Sequence, residues 1–325
     1  MILVITNTED VTSDFIIREI RRRNAPFFRL NTDEFPQNIA GTAVFSNTTG
    51  PHLFMKRSAS ERGVDFSNIK SVLFRRPVAP TPHSDITDAG VRQFCINECS
   101  DFLHGLWLIP NCYWINRPDA IRRASYKMVQ LHAARSLFQI PRTLITNDPM
   151  EAQRFLSAQS KGTIVKPLRS ARVKDEGITK FLYTREMADC DVSQLDTLRL
   201  APSILQEKVD KEFDIRVTVV GESVFAARIY TVDLPPAMPD WRFADDNNLH
   251  YSPENLPESI ATACVSLTQN LGLEFGAIDL AVDVNGQYWF FEINPNGQWA
   301  WIEMELGLPI SRSIVDLLMS PPLKN

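Results

Sequence analysis

Three things are scarce in this chain: paired cysteines, long apolar runs and surplus positive charge. Its five cysteines (Cys95, Cys99, Cys112, Cys190 and Cys264) are odd in number and contain no CxxC pair. Cys95 and Cys99 would share a helix face but have no further pair of ligands near them in sequence. Reduced thiols are therefore the reading, rather than a disulfide framework or a zinc site. No stretch approaches the ~20 apolar residues needed to cross a bilayer. The first residues, Met1–Asn7, reach Glu9 and Asp10 at once without a basic leader, as a first strand does and a signal peptide does not. A cytoplasmic location with no membrane partner is expected. A formal net charge of −5 argues against a protein whose first task is to neutralise a nucleic-acid backbone. Internal repeats and low-complexity tails are also absent.

What is present is an ordinary globular composition, 44% hydrophobic and 22% charged over 325 residues, enough for a large core and roughly two or three subdomains. The pattern predicts an α/β opening. Ile2–Thr6 reads as a buried strand, Phe15–Ile20 as part of a helix and Phe27–Leu30 as a second strand. The segment Ala43–Phe54 is strand-like around an Asn-Thr-Thr-Gly-Pro turn, Ser71–Arg75 is another strand, and a long helix through Val91–Leu106 ends before Pro110. A first domain of residues 1–115 follows. Residues 116–200 group as a small α+β unit: a helical run from Ile121 to Ala134, strands at Thr143–Thr146 and Gly162–Lys166, a helix at Asp148–Leu156, and a polar stretch to Gly177. Residues 201–325 hold strands at Ser203–Val209, Phe213–Val220, Ser223–Tyr230, Phe275–Val282 and Tyr288–Ile293. The middle two are joined as a hairpin by Gly221-Glu222. A Pro-rich insertion, Leu234–Pro257, and a helix at Thr262–Leu271 interrupt them.

The chemistry concentrates in three places. Lys127 falls on a helix and Lys166 ends an apolar strand, from which an ammonium on a packed stem can reach phosphate oxygens; taken alone, either is equally a solvated surface lysine. Glu207, Asp214 and Arg216 lie on neighbouring strands and could line one cleft or simply occupy edge positions. Asp279, Glu292 and Asn294 are oxygen donors set in intensely apolar strands, with Glu292 and Asn294 on the same face because strand side chains alternate. Buried carboxylates are costly unless paired or bound to a cation. An all-oxygen set without His or Cys suits Mg²⁺, and a structural ion-pair network is the competing reading.

In order along the chain, Lys127, Lys166-Pro167, Gln206-Glu207, Asp214-Ile-Arg216, Arg228, Asp279 and Glu292-Ile-Asn294 resemble the motif series of the ATP-grasp ligases. The resemblance covers about residues 116–310, and residues 2–116 resemble the α/β pre-grasp domain that precedes it. It implies an ATP-grasp fold that uses ATP and Mg²⁺. Lys127 and Lys166 would meet the phosphates, and Glu207 with the backbone at Lys208 and Val209 would meet the adenine edge. Asp214 would take the ribose hydroxyls, with Glu212 as a neighbouring candidate. Arg216 and Arg228 would steady the transferred phosphoryl group, with Lys166 acting beside them, and Asp279, Glu292 and Asn294 would hold the metal. One departure is the loop after Lys166, where Arg169, Arg172 and Lys174 stand in place of a glycine-rich phosphate cover; they could supply charge to the phosphates or to an acidic substrate.

Within the superfamily the pattern is most similar to the ligases that cyclise ribosomally made peptides of the microviridin, or graspetide, type. This rests on Phe74-Arg75-Arg76-Pro77, Asn116-Arg117-Pro118, Lys166-Pro167-Leu168, Asp214-Ile-Arg216-Val-Thr218 and Asn294-Pro-Asn-Gly-Gln-Trp299. The resemblance implies a precursor peptide partner, recognised by its leader, in which Asp or Glu is joined to Thr or Ser as an ester or to Lys as an amide. A homodimer is a further family-based expectation. Arg117, Arg122, Arg123 and Arg142 form a basic surface that could grip a leader helix, or be a solvated helix face. Trp241, Phe243 and Tyr251 in the insertion read as a substrate wall or a surface loop, and Trp299 and Trp301 as core. Two alternatives stay open: a ligase adding an amino acid to a small peptide, protein tail or metabolite, and a nucleotide-binding scaffold without turnover.

Overall fold

The computed structural model describes residues 1–57, 63–169, 172–175, 178–181, 184–187, 194–231, 241 and 248–322, with backbone alone for 172–175 and 178–181. The first sheet has the order β2-β1-β6-β7, all parallel, from β1 (Ile2–Thr6), β2 (Phe27–Asn31), β6 (Ser71–Phe74) and β7 (Tyr113–Ile115). Every residue of β1 is buried, as expected for a parallel strand covered on both faces. Its alternate residues feed two cores. Leu3 and Ile5 pack with Leu103, Leu106 and Trp107 of α2 (Ala89–Leu108). Ile2 and Val4 pack with Ile16 and Ile20 of α1 (Val11–Arg22). The strand-like segment around the Asn-Thr-Thr-Gly-Pro turn is a hairpin, β3 (Ile39–Val44) with β4 (His52–Arg57), to which β5 (Gly63–Asp65) adds.

The helical run after Asn116 divides in two, α3 (Pro118–Ala124) and α4 (Lys127–Ala134). The break is held open by Gln130, whose buried amide donates to Ala124 O (2.7 Å) and to Ile293 O (2.8 Å). A second sheet, β12-β9-β13-β8, joins β8 (Thr143–Thr146), β9 (Thr163–Lys166), β12 (Arg185–Glu186) and β13 (Ser203–Glu207). It packs on α5 (Pro149–Ser157) through Ala152, Phe155 and Leu205. The stretch read as polar loop is a two-stranded ladder, β10 (Arg172–Asp175) paired antiparallel with β11 (Ile178–Phe181). Its β-branched residues Val173, Ile178 and Thr179 favour strand over coil.

The third sheet fixes the site. Its order is β16-β15-β14-β17-β18, antiparallel throughout, from β14 (Lys211–Val220), β15 (Ser223–Thr231), β16 (Leu249–Pro253), β17 (Phe275–Asp283) and β18 (Tyr288–Asn294). Strand β16 arises inside the segment read as a Pro-rich insertion, and Phe243 lies outside the described residues. One face carries Phe213, Ile215, Val217 and Val219 with Ile278, Leu280 and Val282 onto α6 (Glu258–Asn270) and Ala134 of α4. The opposite face places Val220, Ala227, Phe275 and Ala277 in the core shared with the first sheet and with α7 (Ala300–Leu306) and α8 (Ile310–Met319). Burial at about 25 cal/mol per Å² of apolar surface makes both faces strongly stabilising. The charged residues of the second face lie at the edge of that shared core, with Arg216 in register with Ala227.

Candidate active site

Pairing register arranges that second face in rows. Pro253, Ala227, Arg216, Asp279 and Glu292 lie side by side across all five strands. The row beside it holds Tyr251, Ile229, Asp214 and Ala281, and on the other side come Phe225, Thr218, Ala277 and Asn294. Asp214, Arg216, Asp279, Glu292 and Asn294 thus come together on one face, from segments up to about 80 residues apart in sequence. Arg216 Nε sits 2.7 Å from Asp279 Oδ1, with the two side chains 8% and 11% exposed. Lys127, the first residue of α4, holds Glu292 Oε2 at 2.5 Å. Its position follows from Gln130 one turn on, which locks α4 to β18 by donating to Ile293 O and accepting from Ile293 N (3.2 Å).

The facing wall of the cleft is the second sheet. Lys166, at the end of β9, donates to Gln206 Oε1 (2.9 Å), and Gln206 donates in turn to Thr143 Oγ1 (2.8 Å). Between the sheets lies about 660 Å³ of empty space, open solvent included, lined by Ile164, Lys166, Glu207, Val209, Asp214 and Asp279 among others. Lys211 also lines it, ion-paired with Asp214. Lys208 pairs with Glu186 (2.6 Å). Sequence reasoning missed Lys211 and Gln130. The Lys211 signal was its place at the start of the Asp214-Ile-Arg216 strand, and Gln130 was an amide among the apolar positions of a helix.

Not every expected residue arrives. Arg228 pairs in register with Ile215, not with Arg216, so its side chain leaves from the face opposite Asp214, Arg216 and Asp279. There it binds Glu254, donates to Tyr230 Oη (2.8 Å) and lies over the Phe213 ring at 3.8 Å. This corrects the pairing of Arg228 with Arg216 at the phosphoryl group. The hairpin held the signal: a two-residue turn pairs Val220 with Ser223, and that register sends Arg216 and Arg228 to opposite faces. Glu212 is exposed and does not line the cleft, whereas Asp214 does. Among the basic residues, Arg117 stacks on Trp114 (5.6 Å) and pairs with Asp119 (3.4 Å). Arg122 and Arg123 are exposed on α3, and Arg169 is exposed after β9. Arg142 lies over Phe155 (5.5 Å), and its carbonyl accepts from Glu207 N (2.8 Å). Among the described residues no contact joins Arg142 to the α3 arginines. The side chains of Arg172 and Lys174 lie outside the described residues.

Two motifs far apart in sequence meet at the junction of the first and third sheets. Arg75, 3% exposed, pairs with Asp10 (3.2 Å) and donates to Gly297 O (3.2 Å) and Gln298 Oε1 (2.5 Å). Burial pushes its guanidinium down to about 10. Asn116 completes the junction by donating to Phe275 O (2.8 Å) and Pro295 O (3.0 Å) and accepting from Glu274 N (2.7 Å). Gly297 is required where it stands, because a Cβ there would lie 2.3 Å from the Ala277 Cβ.

Asp279, Glu292 and Asn294 are oxygen donors on one face, and Lys166 lies across an open cleft from Asp279 and Glu292. Among the described residues no three His, Cys, Asp or Glu side chains converge, so the protein offers two carboxylates and an amide. That partial set fits Mg²⁺, which keeps waters and phosphate oxygens as its remaining ligands.

Comparison with known proteins agrees. Residues 123–318 match the RimK-like ATP-grasp domain, and residues 1–122 match the MvdD pre-ATP grasp domain. The chain belongs to the RimK-like ATP-grasp family and is an ATP-grasp ligase. It is similar over 98% of its length to three solved structures. The macrocyclase MdnC of Microcystis aeruginosa MRC, bound with precursor peptide MdnA, is 27% identical over 99% of that chain with a TM-score of 0.86. A Chryseobacterium gregarium RiPP-associated ATP-grasp ligase, in complex with ADP and a leader and core peptide, is 28% identical over 96% of that chain with a TM-score of 0.89. The macrocyclase MdnB of Microcystis aeruginosa MRC is 29% identical over 99% of that chain with a TM-score of 0.79. A search of curated proteins returns no match. Among the described residues no helix is long and apolar enough to cross a membrane.

Proposed function

We propose that this ligase activates Asp or Glu side chains of a ribosomally made precursor peptide as acyl phosphates, and closes intramolecular ester or amide rings on them. The observation that carries this is the Arg216–Asp279–Glu292 row facing Lys166 across an open cleft, in a chain similar end to end to peptide macrocyclases. Lys127 and Lys166 bind the triphosphate. Ile164, Val209 and Phe291 give the adenine an apolar slot, and Glu207 and Asp214 take its amino edge and the ribose hydroxyls. Lys208 N already donates to Gly162 O (3.1 Å), so the Lys208 carbonyl and the Val209 amide are the backbone groups left for the adenine.

Asp279, Glu292 and Asn294 would hold Mg²⁺, which when bound neutralises phosphate charge and polarises the group in transfer. Arg216, preorganised by Asp279, stabilises charge developing on the transferred phosphoryl group. A carboxylate oxygen of the peptide attacks the γ-phosphorus and ADP leaves. A hydroxyl or amine of the same peptide then attacks the carbonyl carbon, giving up its proton as phosphate departs. Arg117, Arg122, Arg123, Arg142, Arg169, Arg172 and Lys174 are the surface from which a leader contact is drawn. The division at residues 115 and 200, a homodimer and a cytoplasmic site of action belong to the same proposal.

The test is mass spectrometry of a precursor peptide encoded beside the gene, incubated with the protein, Mg²⁺ and ATP against an ATP-free control. ATP-dependent loss of one water per ring, located by fragmentation, is expected. ATP turnover with addition of a free amino acid would instead make the protein an amino-acid ligase, and absence of any turnover would make it a binding protein.

A further inference from the structure

An aromatic wall leads away from the charged row. Trp241 lines the cleft with Asp214, Asp279 and Glu292, and the Arg216 guanidinium lies over its ring at 5.7 Å. Trp241 and Trp301 rings are 5.9 Å apart, and Tyr251 and Trp301 4.7 Å apart, both pairs tilted. The three come from separate places: the segment before β16, β16 itself, and the first turn of α7. Tyr251 stands in the row of Asp214, two strand spacings or about 10 Å away. Trp299, two residues before Trp301, is fully buried in the shared core. Trp301, Tyr251 and Trp241 are only half-buried. Trp301 packs against the edge of the shared core, whose interior is filled by Trp299 and Ile302, and the three rings still present part of their surface beside the ion-paired arginine and aspartate.

The chemistry supplies a reason. An acyl phosphate is open to two nucleophiles. Attack by the peptide hydroxyl or amine at the carbonyl carbon breaks the carbon–oxygen bond to phosphate and closes the ring. Attack by water at the same carbon expels the same phosphate and returns the carboxylate, so an ATP is consumed and no ring forms. Water outnumbers the tethered nucleophile in any open cleft, so a ligase of this kind must exclude it where the intermediate sits. Polar side chains would recruit water there, and aromatic faces do not.

Building on the function proposed above, we infer that Trp241, Tyr251 and Trp301 form a water-excluding wall that packs against the peptide segment carrying the activated carboxylate. They are positioning residues, setting how much of the acyl phosphate becomes ring rather than being hydrolysed. Trp301 and Tyr251 give the wall its rigidity through their ring contact, and Trp241 joins it to Arg216.

The test runs wild type, Trp301→Ala, Tyr251→Ala and Trp301→Phe with precursor, ATP and Mg²⁺ in water enriched in heavy oxygen. ADP released, rings closed and heavy oxygen in the unclosed peptide carboxylates are all measured. The expected result is peptide-dependent ADP release retained in both alanine variants, with several-fold more ADP per ring and heavy oxygen entering the returned carboxylates. Trp301→Phe should restore coupling. Parallel loss of ADP release and ring closure, with no heavy oxygen entering, would overturn the wall as a water barrier. So would an unchanged ratio of ADP to ring in both alanine variants. If the wild-type protein releases no peptide-dependent ADP, the macrocyclase reading itself falls and takes this inference with it.

Discussion

Replacing Asp279 by Asn keeps the shape of the side chain and removes its charge. Arg216 would then remain 8% exposed with an amide oxygen in place of a carboxylate. Breaking a buried ion pair by removing one partner costs about 3–5 kcal/mol, because the remaining charge is left desolvated. The retained oxygen of Asn puts the expected loss at about 3 kcal/mol. With a urea slope of about 3 kcal/mol per M, the unfolding midpoint should fall by about 1 M. Adding Arg216→Met removes the orphaned charge, so the double variant should recover most of that stability, with a coupling energy of about 2–3 kcal/mol in the double-mutant cycle. Activity should behave otherwise. Peptide-dependent ATP turnover should be lost in both single variants and in the double, since Asp279 is a proposed metal ligand and Arg216 is proposed to stabilise the transferred phosphoryl group. Urea unfolding followed by tryptophan fluorescence, beside an ADP-release assay, measures both. Additive single effects, or an Asp279→Asn midpoint within about 0.2 M of wild type, would refute the tightly desolvated pair on which this reasoning stands.

Arg228→Gln should lower stability through loss of the Glu254 pair and the Phe213 contact yet leave kcat largely intact, whereas Arg216→Gln should abolish turnover; steady-state kinetics on the two proteins separates the faces of the sheet. Lys166→Met should raise the nucleotide Kd at least about tenfold, the loss of about 1.4 kcal/mol or more from a charge-assisted phosphate contact, as read by calorimetry. Arg22 and Arg23 hold the Glu19 carboxyl down at about 2. Because this folded-state value is depressed, the stabilisation is complete above the ordinary value near 4.5 and is lost as pH falls toward 2. With Arg22 largely exposed, solvent screening discounts it to about 1 kcal/mol, and the stability gap between wild type and Glu19→Gln should close across that window. Burial pushes the Cys264 thiol up to about 12. It should stay unlabelled by iodoacetamide at pH 8 in the folded protein, while Cys95, half-exposed on α2, is alkylated; peptide mapping reads both.

Much of the architecture was legible because local pattern carries it. The Ile2–Thr6 strand, the long helix before Pro110 and the five strands of the last third stand where alternation and apolar spacing put them. Segments with weak local signal were not legible. Gly63–Asp65 and Tyr113–Ile115 are strands of three residues, too short for a period to show, and β16 was hidden among prolines whose backbone is tolerated at a sheet edge. The break between α3 and α4 depends on Gln130 reaching Ile293, a partner 163 residues away.

Residue order and chemical type by themselves determined a series of candidate ligands for a triphosphate and a hard cation. Lys127, Lys166, Asp214, Arg216, Asp279, Glu292 and Asn294 were identifiable as a series before any contact was known through their resemblance to the ATP-grasp motif order, and the carboxylates among them stood out because charge buried in apolar strands is costly unless it is paired or bound. Tertiary structure decided which of them share a face, since alternation along one strand says nothing about its neighbour until the pairing register is set. It brought Arg75 onto Gln298, joined Lys127 to Glu292, and gathered Trp241, Tyr251 and Trp301 beside the site. Each of these pairings spans a distance along the chain that no local spacing encodes, and each is fixed by the packing of one sheet face against another.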